Sequence, residues 1–271
     1  MKKLFVSLLI FLAAAAPIFA ATTQLTWYGH AAFKITTPAG KVILVDPWIS
    51  NPLNKNAKED LAKMEKVDLI LVTHGHFDHV GDAVEIGKRT HAKLVTTFDL
   101  GNGIVRMLGY PKDQAGLETQ GNFGGELSLL DGEVQVAFIP AVHSSSVTKG
   151  DESDPQPGGN PGGFLISVRG GPTIYHTGDT DLFSDMALIS RYRKVTVMLA
   201  CIGDHFTMGP ARAAEAVRLV GPAMVVPMHF GTFPALTGTP DAFRTQLENS
   251  HVKVTVKTMT VGETIPLPNA Q

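Results

Sequence analysis

Three histidines and a carboxylate fall within six residues in His74-Gly75-His76-Phe77-Asp78-His79, directly after the apolar run 67–72. Imidazole and carboxylate together suit zinc or a neighbouring first-row divalent ion, and four such groups exceed what one open catalytic metal takes from a protein. The density therefore points to two ions. A solvated loop gathers histidines singly, whereas a cluster directly behind a buried-looking strand reads as a metal or catalytic site.

Such a cluster needs partners, and loops leaving a rigid strand are where they are expected. Three candidates stand in that position: His143 after the run 133–139, Asp179 after 173–176, and His229 after 224–226. Asp46, at the end of 42–45, is placed to accept a hydrogen bond from a ligating imidazole and fix its tautomer. His176 serves either to support Asp179 or to pack a strand end, and His91 and His251 are read as surface residues. The Ser144-Ser145-Ser146 run has no base free of metal duty and is not read as a nucleophile.

The elements that must carry these residues can be traced from pattern. Short strands at 25–28, 32–36 and 42–45, broken by Gly29, Gly40 and Pro47, open the fold in antiparallel style. Strands at 67–72 and 93–97 then alternate with helices near 82–89 and 100–108, which is α/β order. Strands at 126–130 and 133–139 flank an Asp131-Gly132 hairpin turn. A Gly/Pro-rich loop at 149–163 is read as a wall of the pocket. Strands at 164–168, 173–176, 195–200, 224–226 and 252–258 follow, with helices near 182–192, 210–220 and 240–247. The helix at 210–220 is the clearest: Ala213, Ala216, Val217 and Val220 make one apolar face between Pro210 and the stop Gly221-Pro222. No linker splits 21–271, so one domain is expected.

Residues 1–20 read as a secretory signal, with Lys2 and Lys3, an apolar core at 4–16, and a small residue at Ala20. The expectation is an exported chain, periplasmic or secreted, without stable membrane association once the signal is cut; an uncleaved anchor is the alternative. The only cysteine is Cys201, in the apolar run 195–202, so no intrachain disulfide forms and a buried thiol is expected. The formal net charge is −2 for the whole chain and −4 once Lys2 and Lys3 are subtracted. No basic stripe accompanies it, so nucleic acid is not an expected partner. A small-molecule substrate is, and self-association into a homo-oligomer is left open.

Taken together, these segments resemble the metallo-β-lactamase superfamily, and more narrowly the UPF0173 metal-dependent hydrolases, relatives of L-ascorbate-6-phosphate lactonases. Tyr28-Gly29-His30, the 73–79 cluster, His143-Ser144-Ser145-Ser146, His176-Thr177-Gly178-Asp179, Phe206-Thr207-Met208-Gly209-Pro210 and Pro227-Met228-His229 carry the likeness. The resemblance implies an α/β (α+β) four-layer αβ/βα sandwich with the site at one edge. It implies that His74, His76 and His143 hold one metal, that Asp78, His79 and His229 hold a second, and that Asp179 bridges them. Zinc is the expected ion, with manganese or nickel also suited.

The implied reaction is hydrolysis of a lactone, amide, ester or phosphoester by a hydroxide bound to both metals. Asp78 and Asp179 are the carboxylates of that chemistry, and His30 and His205 are read as pocket residues able to bind an anionic group or protonate a leaving group. His205 replaces an asparagine expected from the relatives. His76 stands where redox di-iron members of the superfamily typically carry glutamate, which favours hydrolysis. A metal-dependent oxidoreductase and a non-catalytic periplasmic metal-binding protein are the alternatives.

Overall fold

A computed structural model describes residues 22–150 and 154–269. The export signal read at 1–20 lies outside the described residues, as do residues 151–153 of the pocket loop.

Two seven-stranded sheets form the body of the fold. In the first, β1 (Gln24–Trp27), β2 (Phe33–Thr36) and β3 (Val42–Val45) are antiparallel, and β4 (Leu69–Leu71), β5 (Lys93–Thr97) and β6 (Gln120–Gly121) continue it in parallel. The second opens with the hairpin of β7 (Glu126–Leu129) and β8 (Val134–Pro140). A two-stranded ribbon of β9 (Ser146–Val147) and β10 (Gln156–Pro157) intervenes before β11 (Gly162–Val168) and β12 (Thr173–His176). β13 (Val197–Cys201), β14 (Met224–Met228) and β15 (Thr255–Val256) then run parallel to β12. β16 (Thr264–Pro266) returns to the first sheet and pairs with β1.

The helices are α1 (Ala57–Lys63), α2 (Phe77–Val80), α3 (Ala83–Thr90), α4 (Phe98–Gly103), α5 (Met186–Tyr192), α6 (Pro210–Val220) and α7 (Pro240–Asn249). Burial on both faces explains why β3 and β4 are almost wholly apolar. Ile43, Val45, Leu69 and Leu71 face the core between the sheets, with Val136, Phe138, Phe164 and Ile166. Leu44, Ile70 and Leu94 point the other way, onto Ile86, Leu100 and Ile104. On the far side, α6 lays Ala213, Ala216, Val217 and Val220 against the second sheet, with Phe243 and Leu247 of α7 in the same core. The order is helix, sheet, sheet, helix, the four-layer sandwich expected.

Differences from the expected elements have local causes. The helix read at 100–108 is α4 followed by a π-helical turn at Ile104–Leu108, and α5 starts at Met186 instead of near 182. The strand read at 252–258 shrinks to β15. α1 escapes a periodicity reading because it has no buried residue to generate one. No described helix is long and apolar enough to cross a membrane.

Strand direction decides where the functional residues meet. β3 and β4 are parallel, as are β12, β13 and β14, and two antiparallel steps through β11 turn β8 the same way as β12. The carboxyl ends of β4, β8, β12 and β14 therefore deliver residues 73–79, His143, Asp179 and His229 to one edge of the sandwich.

Candidate metal centre

Each loop at this edge is held by a specific device. After β4 the chain turns through Gly75, where a Cβ would lie 2.7 Å from the Ser146 carbonyl oxygen, and its N–H donates to Ser145 Oγ. The short α2 then presents Asp78 and His79 side by side. After β12, Gly178 takes a left-handed φ of 59° under the Gly162 carbonyl, and its N–H donates to His176 Nδ1. His176 in turn donates from Nε2 to the Ala31 carbonyl, 3.0 Å away. It thus both packs the strand end and supports the Asp179 loop.

Hydrogen bonds assign the tautomers. Asp46 is fully buried and accepts from Thr73 N, from Thr73 Oγ1 and from His79 Nδ1, the last at 2.7 Å. In its neutral form His79 therefore turns an unprotonated Nε2 into the centre. The Thr73 hydroxyl spends its proton on Asp46, so at 3.0 Å from His74 Nδ1 it acts as acceptor, and His74 Nε2 is unprotonated too. That nitrogen lies 3.0 Å from His76 Nδ1. Two ring nitrogens this close need a proton or a cation between them.

Asp179 stands in the middle. Its Oδ2 lies 2.9 Å from His229 Nε2, 3.7 Å from His143 Nε2 and 4.0 Å from His74 Nε2, and its Oδ1 is 3.3 Å from His79 Nε2. Several of these approaches are too misaligned to be hydrogen bonds: His79 Nε2, both ring nitrogens of His229 and Asp179 Oδ1 are buried without a partner. Leaving buried polar atoms unpaired costs about 1–3 kcal/mol each in a finished fold. Convergent nitrogen and oxygen donors of this kind fit divalent metal, and three overlapping groups have ligand atoms within 4.8 Å of one another: His74, His76 and His143; His74, His79 and Asp179; His30, Asp78, His79 and His229.

His30 enters from the β1–β2 turn and is fully buried. Its Nδ1 lies 2.8 Å from Thr232 Oγ1 and its Nε2 3.1 Å from Asp78 Oδ2. Its carbonyl accepts from His229 N and from Trp27 Nε1. His205 is not brought to the centre. It is exposed, edge-on to Phe206 at 4.4 Å, on a turn with consecutive left-handed residues at Asp204 and His205, and Phe206, not His205, lines the cleft over the centre. Five of the nine non-glycine residues with left-handed φ among the described residues are His30, Asp46, Asp204, His205 and His229. That concentration of backbone strain marks this edge as functional.

Charge is sharply partitioned. Burial holds the pKa of His74, His76 and His143 down, and the neighbouring histidines add to it. Burial and the His229 ring lower His30 to about 4. Burial opposes ionisation of Asp78, yet the His30 hydrogen bond and the His79 charge hold it at about 2. Asp179 is likewise driven well below its usual range, its burial outweighed by His229 and His79. His79 is the exception, raised because Asp179 and Asp46 outweigh its burial. The centre thus combines ionised carboxylates with mostly neutral imidazoles, the protonation state that metal ligation requires.

A cleft of about 510 Å³ opens over it, lined by His76, Asp78, His143, Asp179 and His229 together with Phe77, Phe206, Phe233, Ser144, Ser146 and Thr148. A larger cavity, about 600 Å³ between α5 and the outer face of β8 and β11, is mostly apolar and has none of these histidines or carboxylates in its lining. Thr73 and Thr232 are the contributors that sequence reasoning missed. Thr73 carried a signal, since it directly precedes His74; Thr232 is 202 residues from His30 and carried none.

With this geometry in place, the likenesses to known proteins become informative. A family model described as a β-lactamase superfamily domain matches residues 41–230. A UPF0173 metal-dependent hydrolase of Thermodesulfovibrio yellowstonii is 54% identical over 98% of this chain and 100% of its own length. One from Anaeromyxobacter dehalogenans is 56% identical over 90% of this chain and 86% of its own. The solved structure of Igni18, a metallo hydrolase of the archaeon Ignicoccus hospitalis, aligns with a TM-score of 0.77 at 37% identity, covering 90% of this chain and 97% of that one. Fold, donor set and kinship agree: the chain is a metal-dependent hydrolase of the β-lactamase superfamily and belongs to its UPF0173 family.

Proposed function

We propose that the centre takes two divalent cations, zinc foremost, and that the chain uses them to hydrolyse an ester, lactone, amide or phosphoester bond in a small molecule. His74, His76 and His143 would hold one ion and Asp78, His79 and His229 the other, with Asp179 shared. The observation that supports this best is the set of buried donor atoms left without partners around Asp179. Bound there, divalent ions supply Lewis acidity, polarising the substrate and easing proton loss from water.

The chain's own residues prepare that chemistry. Asp46 and Thr73 hold His79 and His74 with their free nitrogens inward, and His30 holds Asp78. Asp78 and Asp179, ionised at neutral pH, are placed to accept a hydrogen bond from the attacking water and orient it. Ser144, Ser146 and Thr148 line the cleft with hydroxyl donors for the polar atoms of a substrate. The absence of a basic stripe in the sequence favours a small molecule over nucleic acid.

Elemental analysis of natively purified protein should find roughly two divalent ions per chain, the number a shared carboxylate serves. Asp179→Ala should abolish metal content and turnover together, and hydrolysis unchanged in that variant would refute the reading. Export belongs to the same proposal: N-terminal sequencing of protein from the periplasm or medium should begin at Ala21, and a chain retained in the cytoplasm would overturn it.

A further inference from the structure

We infer that the substrate is a neutral carboxylic ester or lactone carrying a flat apolar group beside the scissile bond; the inference rests on the hydrolase reading above and narrows it. Two phenylalanines that line the cleft are conspicuously uncovered, Phe77 at 66% and Phe206 at 56% exposure. Apolar surface of this size facing an active-site cleft is what a bound apolar group would cover.

The two rings are presented in ways that have a cost. Phe77 belongs to an aromatic wall: Trp48 and Phe233 stack at 5.8 Å and 22°, and Phe77 meets Trp48 edge-on at 5.5 Å and Phe233 at 6.4 Å. This wall borders Asp78, the ligand next in sequence. Phe206 is carried by the left-handed pair Asp204 and His205, at φ 65° and 59°. The turn is closed by Asp204 N to the Met208 carbonyl at 3.1 Å and His205 N to Asp204 Oδ1 at 2.8 Å. The turn seats Met208 in the core but leaves the ring at its tip uncovered; a ligand in the cleft would cover it.

The remaining lining is polar but uncharged. Ser144, Ser146 and Thr148 offer hydroxyls, and neither lysine nor arginine is among the described lining residues. Hydroxyls suit a carbonyl or ether oxygen, whereas recognition of a phosphate away from the metals would call for a guanidinium or ammonium group. At about 510 Å³ the cleft suits a compound of ordinary small-molecule size. The reaction balances as a hydrolysis: water's oxygen bonds to the acyl carbon, the acyl C–O bond breaks with its electron pair going to the leaving oxygen, and that oxygen takes a proton from the water. One carboxylic acid and one alcohol result.

The test compares substrates with one leaving group on metal-replete protein. Methyl phenylacetate and methyl acetate both release methanol and are followed by pH-stat, with phenyl phosphate assayed alongside. The expected result is a kcat/KM for methyl phenylacetate at least about tenfold above methyl acetate, since an aromatic ring covered by the cleft removes a large apolar area from water. Phe206→Ala and Phe77→Ala should each cut that preference by raising KM with kcat little changed. Phosphate ester preferred over both carboxylic esters, or an aryl preference intact in both variants, would overturn the inference while leaving the hydrolase reading standing. Were none of the three turned over, calorimetric titration on the metal-replete protein would decide the cleft's preference. Benzyl alcohol binding more tightly than inorganic phosphate, and losing affinity in Phe206→Ala, supports the inference; the reverse order defeats it.

Discussion

At His30 one side chain ties two parts of the centre together. Its carbonyl anchors the backbone of His229 and its ring stands between Thr232 and Asp78. With Asp78 ionised, Nε2 must donate to the carboxylate, so Nδ1 accepts from the Thr232 hydroxyl. Removing the ring in His30→Ala should loosen Asp78 and weaken metal affinity about 10- to 100-fold, the usual penalty for losing a group that orients a ligand. Competition with a chromogenic chelator measures it, and unchanged affinity would deny His30 this role. Acid should also act here. Folded, His30 protonates only near pH 4, whereas in the unfolded chain it protonates near 6.5, so between those values the unfolded state holds more protons and stability falls as pH falls. This residue alone contributes on the order of 3 kcal/mol across that window. His74, His76, His143 and His176, also lowered by burial, act in the same direction. His79 opposes them: its raised pKa gives stability fully present below 6.5 and lost as pH rises through the folded value. That loss begins only above about 6.5, whereas the five act below it, so chelated protein should melt at a lower temperature at pH 4.5 than at pH 7 by circular dichroism. A melting temperature unchanged between the two would contradict this balance.

Among the elements, the loops after β4 and β12 depend on backbone that only glycine can take. Gly178→Ala would put a Cβ 2.4 Å from the Gly162 carbonyl oxygen at a left-handed φ, whereas Gly40, also left-handed, has nothing within 4 Å. Gly40→Ala should cost about 1–2 kcal/mol in urea unfolding, the penalty of the left-handed conformation alone. Gly178→Ala should cost more and also weaken metal binding, because the displaced loop carries Asp179. Equal costs for the two variants would show that the close approach is not rigid. These same loops explain what could be read beforehand. Strands buried on both faces announce themselves as unbroken apolar runs, and α6 between Pro210 and Gly221 has the bounds its pattern gives. The seven ligand candidates were legible because each follows a strand that pattern reveals, unbroken apolar runs in β4, β12 and β14 and an alternating one in β8. What pattern could not reveal lies outside periodicity: α1 buries no face, α2 sits inside the ligand cluster, β9 and β10 are two residues long, and β16 finds β1 across the whole chain. His205, read as a pocket residue, stands exposed and outside the cleft's lining, on a left-handed pair that leaves no trace in residue type.

For the molecule as a whole, the centre is a seam. His74, His76, Asp78 and His79 come from the first sheet, and His143, Asp179 and His229 from the second, so any ion held there joins the two halves of the sandwich. Chelation should therefore lower global stability: a ligand at a hundred times its dissociation constant adds about 2.7 kcal/mol to the folded state. Urea unfolding before and after chelator treatment, with restoration by zinc, measures it, and identical midpoints would mean the seam is not tied by metal. Cys201 lies at the heart of the second half, fully buried in β13 between β12 and β14, with its thiol 3.6 Å from the Thr180 carbonyl and its pKa pushed up to about 11 by burial. A thiol-reactive dye can reach it only when β13 parts from its neighbours. Because the chain has a single cysteine, each dye molecule incorporated counts one such opening. The protein thus carries a built-in clock for its own breathing, one that should run slow in the metal-bound form and quicken when the ions are removed.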